Sequence, residues 1–149
     1  MNLLQKILAH RTLVLHPDYK GLESFMHSLP ERFASGEGEV VYKGRNELRK
    51  FTVNGVDMVV KSFRRPNIIN RFVYGIFRPS KAKRSYEHAM KYIEIGVGTP
   101  FPVGYLNVRR GLLFDRSYYV TLASECLHVY NDLFYQDFDM FGITDLNYL

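Results

Sequence analysis

Tryptophan is absent from this 149-residue chain, and cysteine occurs once, at Cys126. One thiol cannot close an internal disulfide, and a reducing compartment is the natural setting for such a chain. The five histidines, His10, His16, His27, His88 and His128, lack metal-ligand spacing and have only that one cysteine to join them. No metal site is therefore expected from side chains of this type. Long hydrophobic runs are missing too: no window approaches the roughly eighteen apolar residues of a membrane-spanning helix. Residues 1–8 hold no sustained apolar stretch and no small-residue cleavage site, so no signal peptide is expected. No Gly-x-Ser-x-Gly occurs, and Ser124 has no persuasive base partner. Gly96-Val97-Gly98 follows a predicted helix instead of opening one, which excludes a dinucleotide fingerprint.

Charge of one sign is missing from two stretches. Residues 61–84 carry eight basic side chains and no acid, while residues 125–149 carry five acids and no Lys or Arg. The net charge is +5, so everything outside 61–84 sums to −3, from twelve basic and fifteen acidic residues. Such a division makes a local positive surface, not a diffusely basic one. The rest of the composition, 46% hydrophobic and 23% charged, is that of an ordinary globular protein. A chain of this length buries roughly 68–70% of its unfolded surface, enough for one domain with a core. Eleven tyrosines and eleven phenylalanines make up for the missing tryptophan.

No repeat or low-complexity tract is present. Residues 3–15 are apolar and stop at His16-Pro17, where proline disfavours helix; a short helix or a strand fits. Residues 22–29 suit a short helix with Phe25, Met26 and Leu29 on one side, ended by Pro30. Three strands follow, at 39–43, 48–53 and 56–63. Phe51 and Val53 share a face that Arg49 joins, and Asn54-Gly55 is the favoured type I′ hairpin turn. Residues 66–77 read as an amphipathic helix with Ile68, Ile69, Phe72, Val73 and Ile76 as its apolar face. Ser80 then caps a helix whose Ala82, Tyr86, Ala89, Met90 and Ile93 recur at the helical period, with Gly96 as its stop. Residues 104–108 and 117–123 are further strands about an Arg109-Arg110-Gly111 turn, with Leu113-Phe114 as a continuation. Residues 127–135 fit a helix.

One apolar strand ends in a lysine, Met58-Val59-Val60-Lys61. Alternation puts Val59, Lys61 and Phe63 on one face and Met58, Val60 and Ser62 on the other. A nucleotide's phosphates need a fixed positive charge. In protein kinases a strand lysine supplies it, and a glutamate on the next helix holds the ammonium in place. Lys61 and Glu87 occur in that order, with Glu87 on the flank of the apolar stripe. Lys43-Gly44-Arg45-Asn46-Glu47 joins the first two strands where a phosphate loop would lie, though it is not G-x-G-x-x-G.

Taken in order, these pieces resemble the Kdo/WaaP lipopolysaccharide kinase family. The match runs through Tyr42-Lys43-Gly44-Arg45-Asn46, then Val59-Val60-Lys61-Ser62-Phe63-Arg64 and Ser80-Lys81-Ala82-Lys83-Arg84-Ser85-Tyr86-Glu87. It continues in Gly98-Thr99-Pro100-Phe101-Pro102 and closes with Ser117-Tyr118-Tyr119-Val120. The resemblance spans residues 39–125. It implies an α+β fold: a protein-kinase-like N-lobe, an antiparallel sheet of about five strands with one main packed helix and short flanking helices. It implies three parts, an N-terminal extension at 1–38, the lobe at 39–125, and a helix with an aromatic acidic tail at 126–149. It also implies ATP and Mg2+, and phosphorylation of a sugar in the lipid A–core region at the inner face of the inner membrane. Lys61 then carries over as the phosphate lysine with Glu87 as its partner. Gly44, Arg45 and Asn46 carry over as the loop above the phosphates, with Val59 against adenine. Leu122, Ala123, Ser124 and Glu125 carry over as the hinge.

The chain departs from that family after the hinge. Kinase chemistry needs a catalytic-loop Asp and Asn and a metal-binding Asp-Phe-Gly. Asp139-Met140-Phe141-Gly142 comes too soon and has the wrong spacing, so no catalytic residue is assigned to this chain. The expected function is a cytoplasmic nucleotide-binding lobe, peripheral to the inner membrane and inactive by itself. The competing expectation is a non-enzymatic interaction module, self-associating through its exposed cleft. The basic residues Arg64, Arg65, Arg71, Arg78, Lys81, Lys83 and Arg84 form a surface for an acidic lipid or lipopolysaccharide precursor, for nucleic acid, or for an acidic protein. The resemblance favours lipid over nucleic acid.

Overall fold

The computed structural model describes residues 9–76 and 78–123. Six antiparallel strands make one sheet: β1 (Ala9–Leu15), β2 (Glu39–Lys43), β3 (Glu47–Val53), β4 (Val56–Ser62), β5 (Pro102–Arg110) and β6 (Leu113–Leu122). Their spatial order is β1-β5-β6-β4-β3-β2. Residues 9–34 supply the sixth strand, β1, and three helical pieces. These are a 3₁₀ turn (Pro17–Leu22), α1 (Glu23–His27) and α2 (Leu29–Ala34). Pro30 therefore does not end the helical stretch. It sits in the first turn of α2, where its missing N–H is no loss.

The β3–β4 hairpin forms as its sequence demands. Asn54 and Gly55 have φ of 53° and 76°, and the register pairs Phe51 with Met58 and Val53 with Val56. Alternation then splits the sheet into two faces. Phe51, Met58, Val60, Leu106, Tyr118 and Val120 pack against Phe25, Met26, Leu29 and Phe33 from α1 and α2. Arg49 shares that face and is 7% exposed. Its guanidinium lies 4.5 Å from the Phe33 ring, donates to the Phe33 and Glu37 carbonyls at 3.2 and 2.9 Å, and meets Glu47 at 2.7 Å. A buried cation is tolerated because its donors and its charge are all answered.

The opposite face is covered by α4 (Lys81–Glu94), the main helix between β4 and β5, which packs on β5 and β6. Phe63, Ala82 and Tyr105 form its core with Val14, Tyr86 and Tyr119 around them. Gly96, at φ 76°, follows the end of the helix as its spacing requires. The β5–β6 hairpin is continuous through Leu113-Phe114, turning at Gly111 with φ 61°. The architecture is α+β and compatible with a kinase-type N-lobe, with six strands where about five were predicted.

One amphipathic prediction is corrected. In α3 (Ile68–Ile76), three residues of the expected apolar face are turned from the body: Ile68, Ile69 and Phe72 are 70%, 73% and 48% exposed, while Val73 is half-buried. The opposite side docks instead. Tyr74 is buried against Phe114 with ring centroids 6.0 Å apart, and Arg71 Nε donates to the Phe114 carbonyl at 2.9 Å. The predicted helix at 127–135 lies outside the described residues.

Candidate functional site

Lys61 stands on β4, near the centre of the sheet, between Leu48 of β3 and Tyr119 of β6. Its neighbours Val60 and Ser62 are buried toward α1 and α2, so Val59, Lys61 and Phe63 face the α4 side as alternation predicted. The ammonium lies 5.1 Å from the Phe63 ring centroid, within cation–π range. Burial lowers the amine from its ordinary value to about 8, and the nearby positive charge of Lys81 pushes the same way. Val59 is buried.

The start of α4 is held firmly. The Ser80 hydroxyl accepts from the Lys83 N–H at 3.0 Å and donates to Asn107 Oδ1 at 2.6 Å, tying the helix cap to β5. Two flanks of the helix then diverge. Glu87 is exposed and pairs with Lys83, one turn back, at 3.9 Å. Its charge also acts on Tyr105 of β5, whose phenol is raised first by burial, then by Glu87 and Tyr86. Lys81 lies on the other flank, toward Lys61. The ion pair of Glu87 is thus with Lys83 and not with Lys61. The two acids of α4 are Glu87 and Glu94; the positions following Lys81 on its own flank are Arg84, Ser85 and His88.

The loop between β2 and β3 is tied down on both sides. The Gly44 N–H donates to the Asn46 carbonyl at 3.0 Å, and the Arg64 N–H donates to Asn46 Oδ1 at 3.1 Å. The Tyr42 phenol occupies the space a Cβ at position 44 would need, which accounts for glycine there. Arg45 is left exposed at the mouth of a cavity of about 490 Å3. Arg64, Arg65, Arg78 and Lys81 share that wall.

The other basic residues have different neighbours. Arg65, Arg71 and Arg110 surround Asp115 at 2.6, 3.7 and 3.4 Å. Asp115 is 4% exposed and was not singled out from sequence. Its signal was available: it is the lone acid between Glu94 and Glu125, set in a strand of mostly apolar and aromatic residues. Lys83 is engaged by Glu87, and Arg84 is half-buried on α4.

At the hinge, the Leu122 N–H donates to the Phe101 carbonyl and the Ala123 N–H to the Asp57 carbonyl, each at 2.9 Å. Ser124 and Glu125 lie outside the described residues, as does Asp139-Met140-Phe141-Gly142. Among the described residues no three His, Cys, Asp or Glu side chains gather to hold a metal ion. Lys61 faces the α4 side of β4, while the Gly44–Asn46 loop is tied to Arg64 just past the end of that strand.

No family model matches the chain, and no curated protein matches it. A solved structure of WaaP in complex with acyl carrier protein matches with 20% identity and a TM-score of 0.45. The alignment covers 86% of this chain, which spans 46% of that one. No helix among the described residues is long and apolar enough to cross a membrane.

Proposed function

We propose that this chain is the nucleotide-binding lobe of a lipopolysaccharide-kinase-like phosphotransferase, without transfer chemistry of its own among the described residues. One observation carries the reading: Lys61 sits on an inner strand, facing the main helix, with an amine that burial has lowered to about 8. A surface lysine would keep its ordinary affinity for protons. The charge of a partly desolvated lysine acts more strongly on a nearby anion than it would in bulk solvent.

In this reading Lys61 binds the phosphates of ATP, the Gly44–Asn46 loop lies above them, and Val59 packs against adenine. Magnesium would supply neutralisation of the phosphate charge, and among the described residues no three His, Cys, Asp or Glu side chains gather to hold it. The Lys61 ammonium packs near the Phe63 ring, with β3 and β6 on either side of its strand, and Glu87 pairs with Lys83. The acceptor in this reading is a sugar of the lipid A–core region, met at the inner membrane surface. Isothermal titration of the full chain with Mg-ATP at neutral pH tests it. Wild type and Glu87→Gln are expected to bind alike and Lys61→Ala to bind at least about tenfold more weakly, a loss of about 1.4 kcal/mol. Equal binding by wild type and Lys61→Ala would remove Lys61 from the site.

A second reading has one specific observation in its favour. Ile68, Ile69 and Phe72 project from α3 into solvent, and contiguous exposed apolar residues commonly mark association. A non-enzymatic module built on the same lobe would associate through this helix.

A further inference from the structure

The basic residues between 61 and 84 do not spread evenly over the surface. Arg64, Arg65, Arg78 and Lys81 converge with Arg45 on the cavity of about 490 Å3. Four separate segments deliver them: the β2–β3 loop, the β4–α3 connection, the α3–α4 connection and the first turn of α4. Among the described residues no carboxylate lines the cavity; Asn67, Asn70 and Tyr74 complete the polar wall. Asn67 Oδ1 accepts from the Asn70 N–H at 2.9 Å, which turns the amide NH2 into the group left to donate. Arg78 is set over Tyr74, 5.7 Å from its ring centroid. Arg65 is fixed from behind by Asp115, but that single carboxylate is shared with Arg71 and Arg110, so the neighbourhood stays positive.

Like charges gathered on one concave wall repel one another. A multiply charged anion reverses the sign of that interaction. Guanidinium forks match phosphate oxygens bidentately, which a single lysine cannot do. A cavity of this size takes a small molecule, not the face of a macromolecule.

We propose that this cavity binds a compact ligand carrying two or more phosphates. Lys61 is not among the described residues of its wall, and Arg45 is the residue the cavity shares with the proposed nucleotide site, so the proposal does not depend on Lys61 binding a nucleotide. Such a phosphate group belongs either to a soluble molecule or to a lipid headgroup.

Calorimetry on the full chain at low salt tests it, with inorganic phosphate, pyrophosphate and tripolyphosphate as probes. Tripolyphosphate is expected to bind with one-to-one stoichiometry and roughly tenfold tighter than inorganic phosphate, because only a longer anion spans several guanidinium groups. Arg64→Glu/Arg78→Glu is expected to abolish the binding. Both positions are exposed, and unchanged near-ultraviolet dichroism confirms that the variant folds. Lys61→Ala is expected to retain the binding. Lys20→Glu/Lys91→Glu, the same charge change at exposed positions away from the cavity, is expected to retain it as well. No saturable binding, equal affinity for all three probes, or equal loss in the Lys20/Lys91 variant would overturn the proposal. Loss in Lys61→Ala would overturn it too, by merging the cavity with the nucleotide site. Sedimentation with phosphatidylcholine vesicles, with and without phosphatidic acid, separates the two sources. Arg64- and Arg78-dependent capture by the acidic vesicles alone assigns a lipid headgroup, and tripolyphosphate binding without capture assigns a soluble ligand.

Discussion

Lys61 and Asp115 are the two side chains whose charge this fold has had to manage most closely. The Lys61 amine gives up its proton more readily in the folded chain, at about 8, than at its ordinary 10.5. Its contribution to stability is therefore fully present above 10.5 and is lost as pH falls through 8. The stability gap between wild type and Lys61→Met, from urea unfolding, is expected to favour the variant at pH 7 and to close as pH rises toward 10. A gap independent of pH would contradict the desolvated ammonium. Asp115 is nearly buried, and Asp115→Asn would leave three guanidinium groups without their anion. Because Arg65, Arg71 and Arg110 keep access to water, the expected loss is about 1–3 kcal/mol, less than for a fully buried pair. Unfolding within a few tenths of wild type would show that the cluster is solvated. The face of Lys61 was legible because a strand has only two faces. The flank of Glu87 was not. A helical period says which residues share a side with one another, but not which flank lies toward β4 and which toward β5. Asp115 was hidden for a related reason: Arg65 and Arg71 reach it only because α3 folds back on β6.

Elements with strong local chemistry were readable, and those defined by distant partners were not. The Asn54-Gly55 turn requires two positive φ values, and the sequence offers two residues that tolerate them. Ser80 was legible as a cap, but its second bond, to Asn107, could not be read because β5 begins twenty-two residues later. Ser80→Ala removes both the cap and a buried partner of Asn107, and thermal or urea unfolding is expected to show a loss of about 1–3 kcal/mol. A change under about half a kcal/mol would mean that α4 is held by its packing alone. In α3 the period was right and the side was wrong. Three apolar residues on one stripe mark a surface that avoids water, but that surface need not meet this chain's own core. The helix instead spends its polar flank, through Arg71 and Tyr74, on the β5–β6 hairpin.

The molecule as a whole is a sheet covered on both faces, with a cationic wall on one side of α3 and exposed isoleucines on the other. The β3–β4 hairpin followed from turn chemistry and alternation, whereas the antiparallel sheet as a whole was implied by the family resemblance; the edge strand beside β5 was not legible, because it depends on a pairing some ninety residues away in sequence. Light scattering tests the exposed stripe. Self-association that disappears in Ile68→Ser/Ile69→Ser is expected if α3 is an interface, and a wild-type monomer at high concentration would contradict that reading. The nucleotide reading depends on Lys61 being a desolvated cation that meets phosphate. The most direct measurement is a nuclear magnetic resonance titration of the Lys61 amine, with and without saturating Mg-ATP. The expected result is a pKa of about 8 in the unliganded chain, raised when the anion binds. A value near the ordinary 10.5 without ligand, or one that Mg-ATP leaves unmoved, would contradict it.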